Sequence, residues 1–258
     1  MSTQDLSKMG AARVTMEAFD GSLCIRKQDA SDVEVNFYQY AAPMLKGVNV
    51  PKLYKVQKND LFIELIPNQV TLTELRANSS VFEQLSSIHC SKYNPFFSPK
   101  EHYWSVTSTE SALEALSLPC SSQNAIVSIQ TLSHVLFEHS GLISGDTNDG
   151  NWGTRKNGEL VLFDWERFGY GSPAIDLAPL VQGLGSIHEY TSIVEQYTQY
   201  NSAFTANELT KHLVIAKCWI VIEVVNILIS RNKSEASTYI DWYKKNVPSW
   251  LGAVENAL

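Results

Sequence analysis

No two of the four cysteines, Cys24, Cys90, Cys120 and Cys218, stand in a CxxC spacing, so the common zinc and dithiol redox motifs are excluded. No GxGxxG phosphate loop occurs. The opening MSTQDLSKMG is polar and carries no apolar signal core. A cytoplasmic chain with free thiols is therefore expected. Positive charge is scarce: 20 Lys and Arg against 27 Asp and Glu leave a net charge of −7. A chain of that sign is unsuited to neutralising many phosphates, which argues against nucleic acid as a partner. The longest apolar stretch, 213–230, includes Lys217, Glu223 and Asn226, which favours a buried helix over a membrane span. Internal repeats and low-complexity tracts are absent.

What the chain does contain is a core-forming supply of apolar residues, 44% of 258, and one dense stretch, LISGDTNDGNWGTRKNGELVLFDWERFGYGSPAIDL at 142–177. Here a short apolar run enters a polar loop, 145–151. Then Asn157-Gly158 separates two strand-like segments, the strongest short-range hairpin signal. The second segment, 160–163, ends at Asp164. Such a hairpin predicts that Asp146, Asn151 and Asp164 converge. Two carboxylates and an amide are hard oxygen donors of the kind Mg²⁺ takes, with phosphates and waters completing its octahedron. Taken singly, Asp and Asn are ordinary turn residues. In this order they match the kinase arrangement of a base, a metal-binding Asn and a metal-binding Asp.

The stretch resembles the aminoglycoside phosphotransferase and choline kinase superfamily. Gly145-Asp146-Thr147-Asn148-Asp149-Gly150-Asn151 is similar to its HGDxxxxN loop, Leu162-Phe163-Asp164-Trp165-Glu166 to its (I/L)-D-(W/F)-E motif, and Gly171-Ser172-Pro173-Ala174-Ile175-Asp176-Leu177-Ala178 to its GDPxxDLA segment. The resemblance implies Asp146 as catalytic base, Asn151 and Asp164 as Mg²⁺ ligands, and Asp176 as a structural acid. One departure stands out: the family's His at the head of the loop is Ser144 here.

The remainder of the chain fits the same frame. Segments 13–19 and 22–27, joined by Asp20-Gly21, predict a hairpin, and 51–56 with 61–66 predict another. Residues 31–44 show the apolar spacing of a helix, with Val33, Phe37, Tyr40, Ala41 and Met44 on one face. Later segments, 109–115, 125–139, 186–200, 206–231, 234–245 and 250–257, predict helices. The aromatic-rich run 92–107 is expected to be an ordered loop that packs on the large lobe. Strands first and helices later imply an α+β class. The resemblance makes this a protein-kinase-like fold, with a small β-rich lobe at 1–66 and a larger, mostly helical lobe at 67–258.

It also implies ATP as donor, a phosphate-covering loop at 8–12, and adenine at the backbone of Glu64, Leu65 and Ile66. A strand cation has to meet the α- and β-phosphates. Arg26 and Lys27 point to opposite faces of one strand, so only one of them can. Laying Leu23-Cys24-Ile25 on the family's apolar run puts Arg26 there, with Lys27 as the alternative. Glu34 is either the partner of that cation or the acid of a Ser31-Asp32-Val33-Glu34 capping box.

These residues predict phosphoryl transfer from ATP to a hydroxyl of a small molecule: aminoglycoside-, choline- or amino-alcohol-like. Glu166, Asp149 and Glu223 are the acidic candidates for acceptor binding, and Trp165, Trp219, Tyr239, Trp242 and Tyr243 the aromatic ones. The alternative is a catalytically weak or inactive nucleotide-binding module, which Ser144 and the poor glycine loop favour. A protein kinase is disfavoured, because only seven residues separate Asp164 from Ser172, too few for a peptide-docking segment.

Overall fold

The structure is a computed structural model that describes residues 13–139, 141–231, 236–255 and 258. The expected phosphate-covering loop at 8–12 lies outside the described residues. The chain divides into two compact units: Met1–Glu101 with Gly141–Tyr170, and His102–Ser140 with Gly171–Leu258.

The first unit begins with a hairpin of β1 (Arg13–Phe19) and β2 (Ser22–Gln28). Its turn residues, Asp20 and Gly21, both take positive φ, 48° and 76°, which suits the right-handed strand twist. Next comes α1 (Asp32–Asn36), which passes into a π-helical turn at Phe37–Ala41. Pro43 has no N–H to continue the ladder, and the helix stops there. β3 (Leu53–Gln57) and β4 (Asp60–Glu64) form the second hairpin. The four strands make one antiparallel sheet in the order β1-β2-β4-β3.

After β5 (Asn68–Gln69) and the helices α2 (Leu72–Ala77) and α3 (Ser79–His89), the unit is completed by β6 (Leu142–Ile143), β7 (Trp152–Thr154), β8 (Leu160–Leu162) and β9 (Gly169–Tyr170). β5 pairs with β7, and β7 with β8. The break expected at 66/67 therefore falls within this unit. Gly153 makes the β5–β7 approach possible: a Cβ there would lie 2.7 Å from the Asn68 carbonyl oxygen and 2.8 Å from Ile66 Cγ2. In the aromatic run after α3, Phe96 rests on Tyr40 at 4.8 Å, while Phe97 rests on Phe168 at 6.2 Å and buried Trp104 donates to Thr109 Oγ1 at 2.7 Å, so most of the run packs on the residues expected to form the large lobe.

The second unit is helical, with α4 (Val106–Leu116), α5 (Cys120–Thr131), α6 (His134–Phe137), α7 (Pro173–Leu177), α8 (Ile187–Thr198), α9 (Ala206–Ser230) and α10 (Ala236–Val254). α9 is long and apolar enough to cross a membrane. Here it packs against α4, α5, α6, α7, α8 and α10. Its Lys217 is buried and donates to the Val181 carbonyl at 3.0 Å, and burial pulls its pKa down to about 7. Pro248 sits inside α10. The two separate helices expected around it are one, at the cost of a single backbone bond.

Candidate active site

The site is assembled within the first unit, from one strand, one helix and the hairpin. The hairpin forms as its sequence predicts: Trp152 faces Leu162, and Gly158 takes φ +85° in the turn. Phe163 N–H donates to the Asn151 carbonyl at 3.0 Å. The ladder thus runs one pair beyond β7 and sets Asn151 beside the chain that leads into Asp164. Asp164 itself adopts a left-handed φ of 65°. It lies two residues past the end of β8, and such strain clusters at functional positions.

The loop ahead of the hairpin is fixed by its own amides. Asp146 accepts from Asn148 Nδ2 at 2.7 Å, and its backbone oxygen accepts from Asn151 Nδ2 at 3.1 Å. The second bond turns the carbonyl end of the Asn151 amide toward other donors or a cation. Burial raises the Asp146 carboxyl above its ordinary value, against the Asn148 bond and the charge of Arg167. Gly145 takes φ +82°, and a Cβ there would lie 2.3 Å from the Arg167 carbonyl oxygen; Arg167 Nε in turn donates to the Gly145 oxygen at 3.0 Å. Ser144, where the resembling family has His, is fully buried.

Of the two neighbouring cations on the strand, Lys27 and not the expected Arg26 points into the carboxylate cluster. Lys27 Nζ lies 2.6 Å from Glu34 Oε2 and 2.6 Å from Asp164 Oδ1. Arg26 projects from the other face and pairs with Glu17 at 2.9 Å and Asp60 at 2.6 Å. The reason is register. Lys27 lies opposite Val14 and Leu61, whose side chains share its face, whereas Arg26 lies opposite Thr15 and Phe62. Burial alone would lower the Lys27 pKa; the Glu34 and Asp164 carboxylates overcome it and hold the ammonium above its ordinary value. For Glu34, burial raises the pKa and Lys27 opposes it. Burial is the larger effect, so the Glu34 carboxyl stays above its ordinary value even with Lys27 at 2.6 Å.

Glu34 is therefore the partner of the cation and not the acid of a capping box. Ser31 Oγ still caps the helix by accepting from Glu34 N–H at 3.2 Å, but the carboxylate turns inward, where Trp165 N–H also donates to it at 3.3 Å. Trp165 stacks on Phe37 at 3.9 Å, nearly coplanar. That stack fastens α1 to the Asp164 segment and makes Trp165 a core residue, not part of a ligand cage.

Glu166 lies beside this cluster, 3.9 Å from Lys27 Nζ. Oxygens of Glu34, Asp164 and Glu166 all lie within 4.8 Å of one another. Lys27 Nζ occupies the middle of this trio, so with Glu34 engaged by the ammonium the oxygens that could hold a hard divalent cation such as Mg²⁺ are those of Asp164 and Glu166. Burial and the neighbouring Asp164 raise the Glu166 pKa. Asp149 is exposed in the short helical turn at Asp149–Asn151. Asp176 is fully buried in α7 of the second unit.

The expected hinge contact, Glu64, spends its side chain on Arg155, which reaches it with Nε at 2.8 Å and Nη2 at 2.7 Å. Ile66 follows it, half-buried beside Gly153. Arg155 was not singled out from the sequence. Its position just before the Asn157-Gly158 turn was the available signal. Tyr38 was missed as well. Its hydroxyl is buried with no hydrogen-bond partner among the described residues, and it senses the charges of Glu34 and Asp164.

No family model matches the chain, and no curated protein matches it in sequence. Solved structures do match in fold. The macrolide 2′-phosphotransferase MphH of Brachybacterium faecium aligns with a TM-score of 0.65 and 13% identity, over 95% of this chain and 91% of that one. The choline kinase LicA of Streptococcus pneumoniae aligns at 0.64 and 14%, over 98% and 94%. The aminoglycoside phosphotransferase APH(4)-Ia, in a ternary complex with ADP and hygromycin B, aligns at 0.62 and 14%, over 98% and 94%. The chain thus has the protein-kinase-like fold of the aminoglycoside phosphotransferases and choline kinases.

Proposed function

We propose that this chain, with the fold of the aminoglycoside and choline phosphotransferases, is an ATP-dependent kinase of a small-molecule hydroxyl. The observation that carries the reading is the meeting of Lys27, Glu34 and Asp164 beside the loop of Asp146 and Asn151. A chain that only needed to turn at this point has no use for a buried ammonium held between two carboxylates, given the cost of burying charge.

In this reading the acceptor hydroxyl is oriented by Asp146, which takes its proton as the oxygen bonds to the γ-phosphorus and the bond to the β-phosphate oxygen breaks. ADP and a phosphate ester result. Lys27 replaces Arg26 as the contact to the α- and β-phosphates, and Glu34 holds it in place. Asp164 and Asn151 would hold Mg²⁺, with Glu166 close to Asp164, and the ion would supply positive charge to the phosphates. Position and charge do most of the work in phosphoryl transfer.

The Lys27 face of the sheet also leaves Met16 and Leu23 exposed, at 48% and 63%. These two apolar side chains, further along the face that carries the cation, suit the flat face of a nucleobase, with the Glu64-to-Ile66 backbone at its edge. Glu166 acts at the metal in this account, and Asp149 stays the acidic candidate for the acceptor. Asp176 steadies the segment that follows the hairpin. The acceptor is an aminoglycoside, choline, ethanolamine or a similar amino-alcohol or sugar. The test is ATP consumption with Mg²⁺ across such a panel, with Asp146→Asn alongside and thermal shift by ATP–Mg²⁺ in the same plate. Turnover that disappears in Asp146→Asn is expected. No turnover and no thermal shift would overturn the reading, and a shift without turnover would favour the inactive nucleotide-binding module.

A further inference from the structure

Arg155 makes more charged contacts than the site chemistry uses. Its Nε and Nη2 hold both oxygens of Glu64, at 2.8 and 2.7 Å. Nη1 reaches Glu159 at 2.7 Å, and Nη2 also reaches the Val50 carbonyl at 2.9 Å. Both side chains of the central pair are largely shielded, with 18% and 16% exposed. Glu64 ends β4 and lies opposite Cys24 on β2, the strand that carries Lys27. Lys52 N–H donates to Glu64 Oε2 at 3.1 Å and fixes the acid from its own side. Arg155 follows β7, and its backbone is tied into the hairpin turn: its N–H donates to the Glu159 carbonyl, and its carbonyl accepts from Gly158 N–H, each at 2.9 Å. One guanidinium thus joins the end of β4, the approach to β3 and both limbs of the hairpin.

We propose that Arg155 and Glu64 are a positioning clamp for phosphoryl transfer, holding the hairpin of Asn151 and Asp164 in register with the strand of Lys27. The proposal rests on the kinase reading above. In that reading the Lys27–Asp164 bond is broken each cycle, because both groups turn to the phosphates and the metal. Something that takes no part in the chemistry has to keep the two elements aligned meanwhile. Asn49 holds the body of β8 through the Leu160 carbonyl at 3.0 Å and Leu162 N–H at 3.0 Å. The bidentate pair fixes the turn end. An arginine suits this task because its planar fork sets direction as well as distance.

The test uses the full chain with Arg155→Lys, Glu64→Gln and the reciprocal pair Arg155→Glu with Glu64→Arg. Steady-state kinetics for ATP and amide hydrogen exchange are measured on the same samples. Arg155→Lys keeps the charge and loses the fork. It is expected to lower kcat by about tenfold to a hundredfold and to leave the ATP KM within about twofold, as misalignment should. Exchange across 152–162 should rise while exchange in α9 stays unchanged. The reciprocal pair should recover part of the lost kcat. Unchanged kcat with unchanged hairpin exchange would overturn the clamp. So would a rise in exchange that includes α9, which marks general loosening. A wild-type chain without ATP turnover would overturn the kinase reading and the catalytic part of the clamp; exchange alone would then decide whether the pair holds the hairpin.

Discussion

Arg26 and Lys27 are neighbours on β2 and project to opposite faces of one sheet. On one face Arg26 is 29% exposed between Glu17 and Asp60 and stacks over Phe62 at 5.5 Å. On the other, Lys27 is 7% exposed between Glu34 and Asp164. Both are cations paired with carboxylates, Arg26 with two and Lys27 with three. They differ in solvent, and solvent decides what an ion pair does. Water screens the Arg26 pairs, so they contribute at most about 1 kcal/mol. Around Lys27 the charges are desolvated, and removing one partner strands the others. A contact list treats the two faces alike; burial separates an ordinary surface network from a site.

The comparison is sharpest in paired variants. Lys27→Met should lower kcat/KM for ATP by about a hundredfold or more, the scale of losing one preorganised charge contact. Arg26→Gln should change it by less than about threefold, since screened pairs contribute little. Lys27→Met should also cost about 3–5 kcal/mol of stability by leaving Glu34 buried and unpaired, and a second change, Glu34→Gln, should restore part of the thermal midpoint. Similar kinetic losses in Lys27→Met and Arg26→Gln would break the comparison.

A pH profile extends the same argument to the loop. A base has to be ionised to work, and burial raises the Asp146 pKa. The acid limb of kcat/KM should therefore fall above the ordinary aspartate value of about 3.9. Asn148→Ala removes the 2.7 Å bond that favours the ionised form, so the limb should move to higher pH. A limb that stays in place would separate Asp146 from the rate.

Smaller effects concern stability. Arg155 holds the Glu64 carboxyl below its ordinary value. Folding therefore favours its ionised form. That contribution is complete above the unfolded value of about 4.3 and is lost as pH falls through the lower folded value. Acid melting curves should show a steeper fall below that pH for the wild type than for Glu64→Gln. The smallest effect is expected at Tyr38, whose buried hydroxyl has no hydrogen-bond partner among the described residues. Tyr38→Phe should leave the thermal midpoint unchanged or raise it by up to about 1 kcal/mol in stability terms. A clear loss would reveal a partner for that hydroxyl.

The hairpin of Asn151 and Asp164 was legible because its information is local: Asn157-Gly158 fixes the turn, and the ladder carries the rest. Glu34 was legible as one of two roles, since a capping box and an inward acid share the same four residues. The choice between Arg26 and Lys27 was not legible. Leu23, Cys24 and Ile25 are all apolar, so the run gives no phase for the alternation. Cys24 is fully buried while Leu23 is 63% exposed. Only pairing with β1 and β4 sets that phase. The same holds for the first unit's extent: β5 pairs with a strand more than 80 residues away, and no local pattern announces it. Arg155 is a long-range partner of Glu64, and its role appears only once both strands are in place.

The most direct measurement is calorimetric titration of ATP into the wild type, Asp146→Asn and Asp164→Asn, each with and without Mg²⁺. The account predicts Mg²⁺-dependent binding in the wild type, similar binding in Asp146→Asn, and loss of the metal-dependent part in Asp164→Asn. Binding that ignores both Mg²⁺ and Asp164, or no binding at all, would contradict it.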